Sequence, residues 1–281
     1  MQQYSVFGGV GERCVIFLTN FLATVFSFIV ELAPVICIGL AMVFLEFRYP
    51  RRAGRPDGLR WLTGATLMFT GWAVTMLLVP VSAMVTAQVS IENGNGLLNA
   101  MHVPYPIAFV IGFLVYDFSG YAVHRILHEV PVLWRLHRVH HSDEQVDAST
   151  ALRTHPAEAL AVAIVTIGLV RFVGIPPGSI FLHFVFMQLF NFWHHANIKS
   201  LPGQRKLGIL FNIPEFHEVH HSVAAEHHNS NYGSVLSLWD RMFGTLIDEP
   251  KLEGNLEYGL DKAYWDHPST VGSLLVDPVR K

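Results

Sequence analysis

The 281-residue sequence is poor in charge and poorer still in cysteine: charged residues make up 15% of it, and Cys14 and Cys37 are its only thiols. Iron–sulfur ligation, which takes about four thiolates, is excluded. Both cysteines fall in one apolar run, which predicts packed thiols and not a disulfide or a metal pair. A formal net charge of -3 offers no basic footprint to a polyanion, so no nucleic-acid partner is expected. The glycine-rich stretches "GGVGE" (8–12) and "NGNG" (93–96) neither follow a strand nor open a phosphate-binding helix, which argues against a nucleotide site. Repeats of solenoid length, low-complexity tracts and polar linkers are missing too, which predicts a single domain over residues 1–281. The amino terminus lacks a basic stretch, so no cleavable signal peptide is expected.

What the sequence has in quantity is apolar residue, 51% of the chain, the composition of a membrane protein. A bilayer core of roughly 30 Å takes about 20 helical residues. Runs at about 15–47, 61–89, 104–123, 157–173 and 179–193 reach or approach that length and are the expected transmembrane spans. The first contains Glu31 and Pro34 and is long for one upright helix and short for two, which leaves a tilted span and a hairpin both open. Between the last two runs, "GIPPG" (174–178) can only be a tight turn. The stretch "RYPRRAGRPDGLR" (48–60) holds five arginines and one aspartate, and by the positive-inside rule that loop is cytoplasmic. Crossing out and back twice from there brings every histidine motif to the cytoplasmic face.

Of the 16 histidines, fourteen lie between His124 and His228. The pattern H-x-x-H-H occurs twice, as "HRVHH" (137–141) and "HEVHH" (217–221), and chance is a poor account of that. Residues three or four apart share a helix face. His124 with His128, His137 with His140 and His141, and His217 with His220 and His221 are therefore three multidentate imidazole sets. Imidazole suits zinc, copper, iron and nickel, whereas calcium and magnesium would call for interleaved carboxylates. These eight histidines exceed what one tetrahedral ion takes, and two adjacent metals fit the count.

On the last span Gln188, Asn191 and His195 form a polar stripe, and polar residues inside a membrane usually face a functional interior. His195 is the expected further ligand, with Asn191 behind it. Asp117, on the face of His124, is expected either to orient a ligand imidazole through its second nitrogen or to serve as a helix–helix partner. His183 lies about 18 Å from His195 along the helix, too far to share its metals, and is expected in a helix–helix hydrogen bond or lining a cavity. His155, before Pro156, fits a helix cap. His194, His227 and His228 stay open as extra ligands, and His102 and His267 are read as ordinary residues.

Ligand sets that grow out of membrane helices place the metals at the membrane surface, where a lipid's unreactive carbon is the substrate at hand. Oxidising such a C–H bond takes activated oxygen, and iron is the usual metal for that work. A membrane zinc-dependent lipid hydrolase and a metal transporter are the alternatives. The first calls for a carboxylate base in a water-filled cleft, the second for ligands near the bilayer midplane.

The ordered set HRILH, HRVHH, HHANI and HEVHH, followed by "NYG" (231–233) and "WDRMFGT" (239–245), resembles the fatty acid hydroxylase and sterol desaturase superfamily of integral-membrane non-haem di-iron oxygenases, on its sterol desaturase-like side. The resemblance runs over roughly residues 117–245. It implies an all-α, multi-span transmembrane helical bundle with a cytoplasmic-side helical cap that carries a histidine-rich di-metal site. It implies that His124, His128, His137, His140, His141, His217, His220 and His221 bind two irons, with His195 as the further ligand. It further implies O₂ as co-substrate and hydroxylation or desaturation of a sterol, fatty acyl chain or related lipid. Electrons would come from an external donor of the cytochrome b5, ferredoxin or flavin reductase type, since the chain has no cofactor domain. Some members carry a second histidine where this chain has Asn191, which leaves one metal's coordination number open. The bacterial inner membrane and the endoplasmic reticulum both fit.

Overall fold

The computed structural model describes residues 10–53, 57–248, 256–261, 265 and 269–280. His267 lies outside them. The chain is helical, and among the described residues strand pairing is confined to isolated bridges such as Phe211 with Leu236.

Helix α1 (Val10–Arg48) is continuous through Pro34, so the first apolar run is one helix and not a hairpin. At 1.5 Å per residue it is about 58 Å long, well beyond the bilayer core. Its last turns reach the polar end of the fold. There Glu46, buried, accepts hydrogen bonds from the amides of Ala148 (2.8 Å) and Asn197 (2.6 Å). Cys37 on α1 is exposed and not packed, and the side chain of Cys14 lies outside the described residues.

The run expected as one helix over 61–89 is two. Helix α2 (Gly58–Leu78), capped by Asp57, stops before Pro80, and Ser82 caps α3 (Ala83–Glu92). After α4 (Leu97–Ala100), helix α5 (Tyr105–Glu129) continues past the expected boundary and carries His124 and His128 on its last turns. Pro131 then opens α6 (Pro131–His141). A 3-10 turn (Ala148–Leu152) leads to α7 (Pro156–Val173) and α8 (Pro177–His195). The turn between these two is built as its composition demands: Gly174 ends α7 at φ 76°, and Pro177 starts α8. Gly96 packs against that turn so closely that a Cβ on it would lie 2.4 Å from the Gly174 Cα. Short helices α9 (Gln204–Leu207), α10 (Pro214–His220), α11 (Ala225–His228), α12 (Leu238–Phe243) and α13 (Val271–Val276) complete the polar end.

Among the described residues, three stretches are long and apolar enough to cross a membrane: Gly58–Ala100, Tyr105–Glu129 and Pro156–Val173. Large apolar side chains such as Leu40, Leu77 and Phe172 point outward along these and the neighbouring helices, a surface suited to acyl chains and not to water. Close helix approach comes from small residues: a Cβ on Gly71 of α2 would sit 3.1 Å from Ala159 of α7.

Asp117 is fully buried on α5, but it does not reach a ligand imidazole. Its Oδ1 accepts from His183 Nε2 on α8 (2.9 Å), and its Oδ2 from Trp239 Nε1 on α12 (2.8 Å) and the Leu236 amide (3.3 Å). The reason is distance: two helical turns, about 10.5 Å, separate it from His124. Asp117 is therefore the helix–helix partner, and His183 is held in the hydrogen bond expected of it. Replacing Asp117 by Asn points an amide N–H₂ at one of these donors. Asp117→Asn is expected to cost about 1–3 kcal/mol of stability, seen as a lower Tm in detergent, while bound metal per chain stays at the wild-type level.

Candidate metal centre

The sequence places imidazoles on four helices, and the fold turns them inward at one end. His124 and His128 come from α5, His137, His140 and His141 from α6, His195 from the end of α8, and His217, His220 and His221 from α10 and its cap. They form two groups whose ligand atoms lie within 4.8 Å of one another: His124, His128, His137, His141 and His220 in one, His140, His195, His217 and His221 in the other. Each H-x-x-H-H motif serves both. On α6 the first and last histidines join the five-membered group and the middle one the other; on α10 the allocation is reversed. Helical geometry explains the split, because i+4 lies about 40° ahead of i around the axis and i+3 about 60° behind.

In five of the nine rings the second nitrogen fixes what the first can do, whereas the Nδ1 atoms of His128, His141, His217 and His221 are buried without a partner. Nδ1 of His124 faces the Tyr232 carbonyl (2.9 Å), Nδ1 of His140 the Arg153 carbonyl (3.2 Å), Nδ1 of His195 the Asn191 carbonyl (2.6 Å) and Nδ1 of His220 the Ser230 carbonyl (2.6 Å). A carbonyl only accepts, so each of these Nδ1 atoms carries the proton and each Nε2 presents a lone pair. His137 makes the same arrangement with a carboxylate, its Nδ1 lying 2.9 Å from Glu158 Oε1. The freed Nε2 atoms of His124, His137 and His220 are buried without partners.

In the four-membered group, His195 Nε2 lies 3.1 Å from His140 Nε2, 3.1 Å from His221 Nε2 and 3.0 Å from His217 Nε2. Between His195 and His140 these contacts are lone pair against lone pair and not hydrogen bonds, an arrangement that repels unless a cation sits between them. Metal–nitrogen bonds of about 2.1 Å put adjacent ligand nitrogens about 3.0–3.4 Å apart. The donor set therefore fits metal ions in both groups. Protonation is disfavoured as well: burial first, and neighbouring imidazoles second, hold His140, His141, His217, His220 and His221 well below the usual imidazole range.

Both groups open on one cavity of about 520 Å³ that runs between α2, α5, α7 and α8. His124 and His137 from one group, and His140, His195 and His217 from the other, form its polar end, and residues such as Met68, Trp72, Val162 and Phe184 line the rest.

Residues 109–245 match the fatty acid hydroxylase family. Human alkylglycerol monooxygenase is 36% identical over 155 residues, 55% of this chain and 33% of that protein. The ornithine lipid hydroxylase OlsE of Rhizobium tropici is 32% identical over 151 residues, 52% of this chain and 44% of that protein. The very-long-chain aldehyde decarbonylase GL1-9 of Oryza sativa subsp. indica is 28% identical over 178 residues, 62% of this chain and 68% of that protein. Residues 109–245, just under half of the chain, are a fatty acid hydroxylase region, and it holds all nine of these histidines. The chain's match spans about a third of the length of the alkylglycerol monooxygenases. No solved structure matches the chain.

The stretches "NYG" (231–233) and "WDRMFGT" (239–245) have structural tasks here. Asp240 of "WDRMFGT" accepts from the Tyr232 and Gly233 amides (2.9 and 2.7 Å) and from Thr245 Oγ1 (2.7 Å), and so fixes the loop whose Tyr232 carbonyl holds His124. Asn191 contributes through its main chain, because its side-chain amide donates to the Ala151 carbonyl (3.2 Å). The remaining histidines fall outside the two groups. His194 Nε2 bonds the Asn212 carbonyl (2.9 Å), His155 caps α7, His227 meets Ser222, and His102 is exposed in a turn. His228 packs on Trp134, ring centroids 4.3 Å apart, beside His128 and His141, and burial lowers it to about 4.

Sequence reasoning missed Glu158, Trp134 and the ring of backbone carbonyls. Glu158 had a visible signal, an acid inside an apolar run; the carbonyls had none.

The depressed histidines make the metal-free protein acid-sensitive. The unfolded chain takes up protons below about 6.5, while the folded chain resists until well below that. Between the two values only the unfolded state gains protons, so stability is complete above the unfolded value and falls as pH falls beneath it. Metal-free protein in detergent is expected to show a Tm that drops steadily from pH 7 to pH 5. A flat profile would contradict the buried, neutral assignment.

Proposed function

We propose that this protein is a membrane-bound, O₂-dependent lipid oxygenase that hydroxylates a carbon of an alkyl or acyl lipid chain at a di-iron centre. The observation that carries the reading is the pairing of two adjacent all-imidazole groups with an apolar cavity between membrane-length helices. The ligands proposed are the nine histidines His124, His128, His137, His141 and His220 for one ion, and His140, His195, His217 and His221 for the other. The names of the relatives, a monooxygenase of alkylglycerols and a hydroxylase of ornithine lipid, favour hydroxylation over desaturation and polar lipids over sterols.

When bound, the iron pair would supply O₂ activation and C–H oxidation. The chain's own contribution is positional. Carbonyl acceptors and Glu158 keep His124, His137, His140, His195 and His220 in the Nδ1–H tautomer, with Nε2 turned to the centre. The apolar walls align a chain and keep bulk water from the oxidant. Electrons come from a separate donor protein of the cytochrome b5, ferredoxin or flavin reductase type. The cytoplasmic face is proposed for the centre. In support, Arg51 of the arginine-rich loop pairs with Glu218 of α10 at 2.7 Å, which puts the positive-inside signal and the metal helix at the same end.

No observation favours a transporter or a zinc hydrolase over this reading. The imidazoles collect at the ends of the apolar helices, and the one carboxylate among the described cavity residues, Glu158, is already bonded to His137.

Comparative lipidomics of cells with and without the gene is expected to reveal a lipid that gains one oxygen only when the gene is present. His140→Ala and His220→Ala, one from each group, are expected to abolish that product and reduce iron per chain in anaerobically purified protein. Both variants should still insert in the membrane, because neither change touches an apolar span. Retained turnover in either variant would sink the proposal.

A further inference from the structure

The cavity's polar end holds one feature that metal binding does not absorb. Glu158 is 5% exposed and is the only carboxylate among the described residues lining the cavity. Its Oε1 receives His137 Nδ1–H at 2.9 Å, while its Oε2 is buried with no partner. Among the described residues no arginine or lysine lines the cavity, and the neighbouring α7 positions facing it include Ala159, Val162 and Ala163. A carboxylate oxygen shut away from water calls for a donor, and the lining supplies no cation to act as one.

We infer that Glu158 Oε2 accepts a hydrogen bond from an O–H or N–H group of the lipid that occupies the cavity, making Glu158 a specificity-determining residue as well as the positioning partner of His137. The geometry is economical. One carboxylate sits between a metal-ligating ring and the start of the apolar channel, so the donor-bearing end of the lipid is fixed beside the imidazole groups. The alkyl chain then extends past Trp72 and Phe184. This inference rests on the reading of the cavity as a lipid site.

The test is equilibrium binding of three radiolabelled probes of equal chain length to the iron-loaded protein in detergent, under nitrogen so that no turnover occurs. The probes are 1-hexadecanol, hexadecanamide and 1-methoxyhexadecane. The first two carry a donor and the third carries none. Wild-type protein is expected to bind at least one donor probe about tenfold or more tighter than the methyl ether, and whether the alcohol or the amide leads tells which donor the site takes. In Glu158→Gln the amide oxygen can still accept from His137 while the N–H₂ turns to the cavity. The preference should then vanish, because all three probes carry an oxygen that accepts from that N–H₂; iron per chain is measured on the same samples so that affinities are compared at equal loading.

Equal affinity of the wild-type protein for all three probes overturns the inference and leaves the lipid cavity standing, and this arm does not depend on the variant's folding. A preference that survives in Glu158→Gln overturns it as well. Failure of the wild-type protein to bind any probe removes the lipid-cavity reading and this inference together.

Discussion

Everything at the polar end of this fold depends on one unfavourable contact made tolerable: imidazole lone pairs facing one another at about hydrogen-bond distance with no proton between them. His195 and His140 show it most clearly. Each has given its N–H to a backbone carbonyl, and their Nε2 atoms still stand 3.1 Å apart. Such a cluster holds together only if the surrounding structure over-determines each ring, or if a cation supplies the missing attraction. The fold does the first for His124, His137, His140, His195 and His220, and the donor set is suited to the second. Burial strengthens the arrangement, since it removes the protonated alternative that would scatter the rings by like-charge repulsion.

The over-determination comes from groups around the histidines. Glu218, between His217 and His220, is buried and pairs with Arg51 and Arg52, so the α10 motif is anchored from its outer side. Arg60 reaches Asp143 and Asp147 just beyond the α6 motif at 2.7 and 2.5 Å, and Arg153, fully buried, donates to Ser142 while its carbonyl holds His140. Buried ion pairs are weak sources of net stability but strong in specifying position. Here they lock α1, α2 and α10 around the centre. The arginine cluster thus acts as a clamp, a task that composition alone does not reveal.

The division between what was legible in the sequence and what was not follows the same line. Periodic side chains announce themselves: the i, i+3, i+4 spacing put eight histidines on shared faces, and the polar stripe on α8 added His195. Backbone acceptors leave no trace in a motif, so the carbonyls of Tyr232, Arg153, Ser230 and Asn191 could not be anticipated. Asn191 shows the difference well, standing behind His195 as expected but acting through its main chain. Asp117 was visible as a buried acid, yet one helical face holds both a site and a neighbour, and two turns of separation decided for the neighbour. Proline carried an ambiguous signal. Pro80 lies at a real helix break, whereas Pro34 sits inside α1 without ending it.

The crossed allocation of the two H-x-x-H-H motifs bears on how the centre would work. Exchanging α6 with α10 exchanges the two metal groups, so these helices alone would give two equivalent sites of three imidazoles each. The equivalence is broken by what is added: α5 contributes His124 and His128 to one group, α8 contributes His195 to the other. Five donors against four leaves the second group with more room for exogenous ligands, the feature that separates catalytic from structural metal sites. Both groups face the same cavity, so the asymmetry is presented to whatever lies in the channel. A lipid chain entering between α2, α7 and α8 would meet two inequivalent ions side by side, with Glu158 at the head of α7 marking where its polar end must stop.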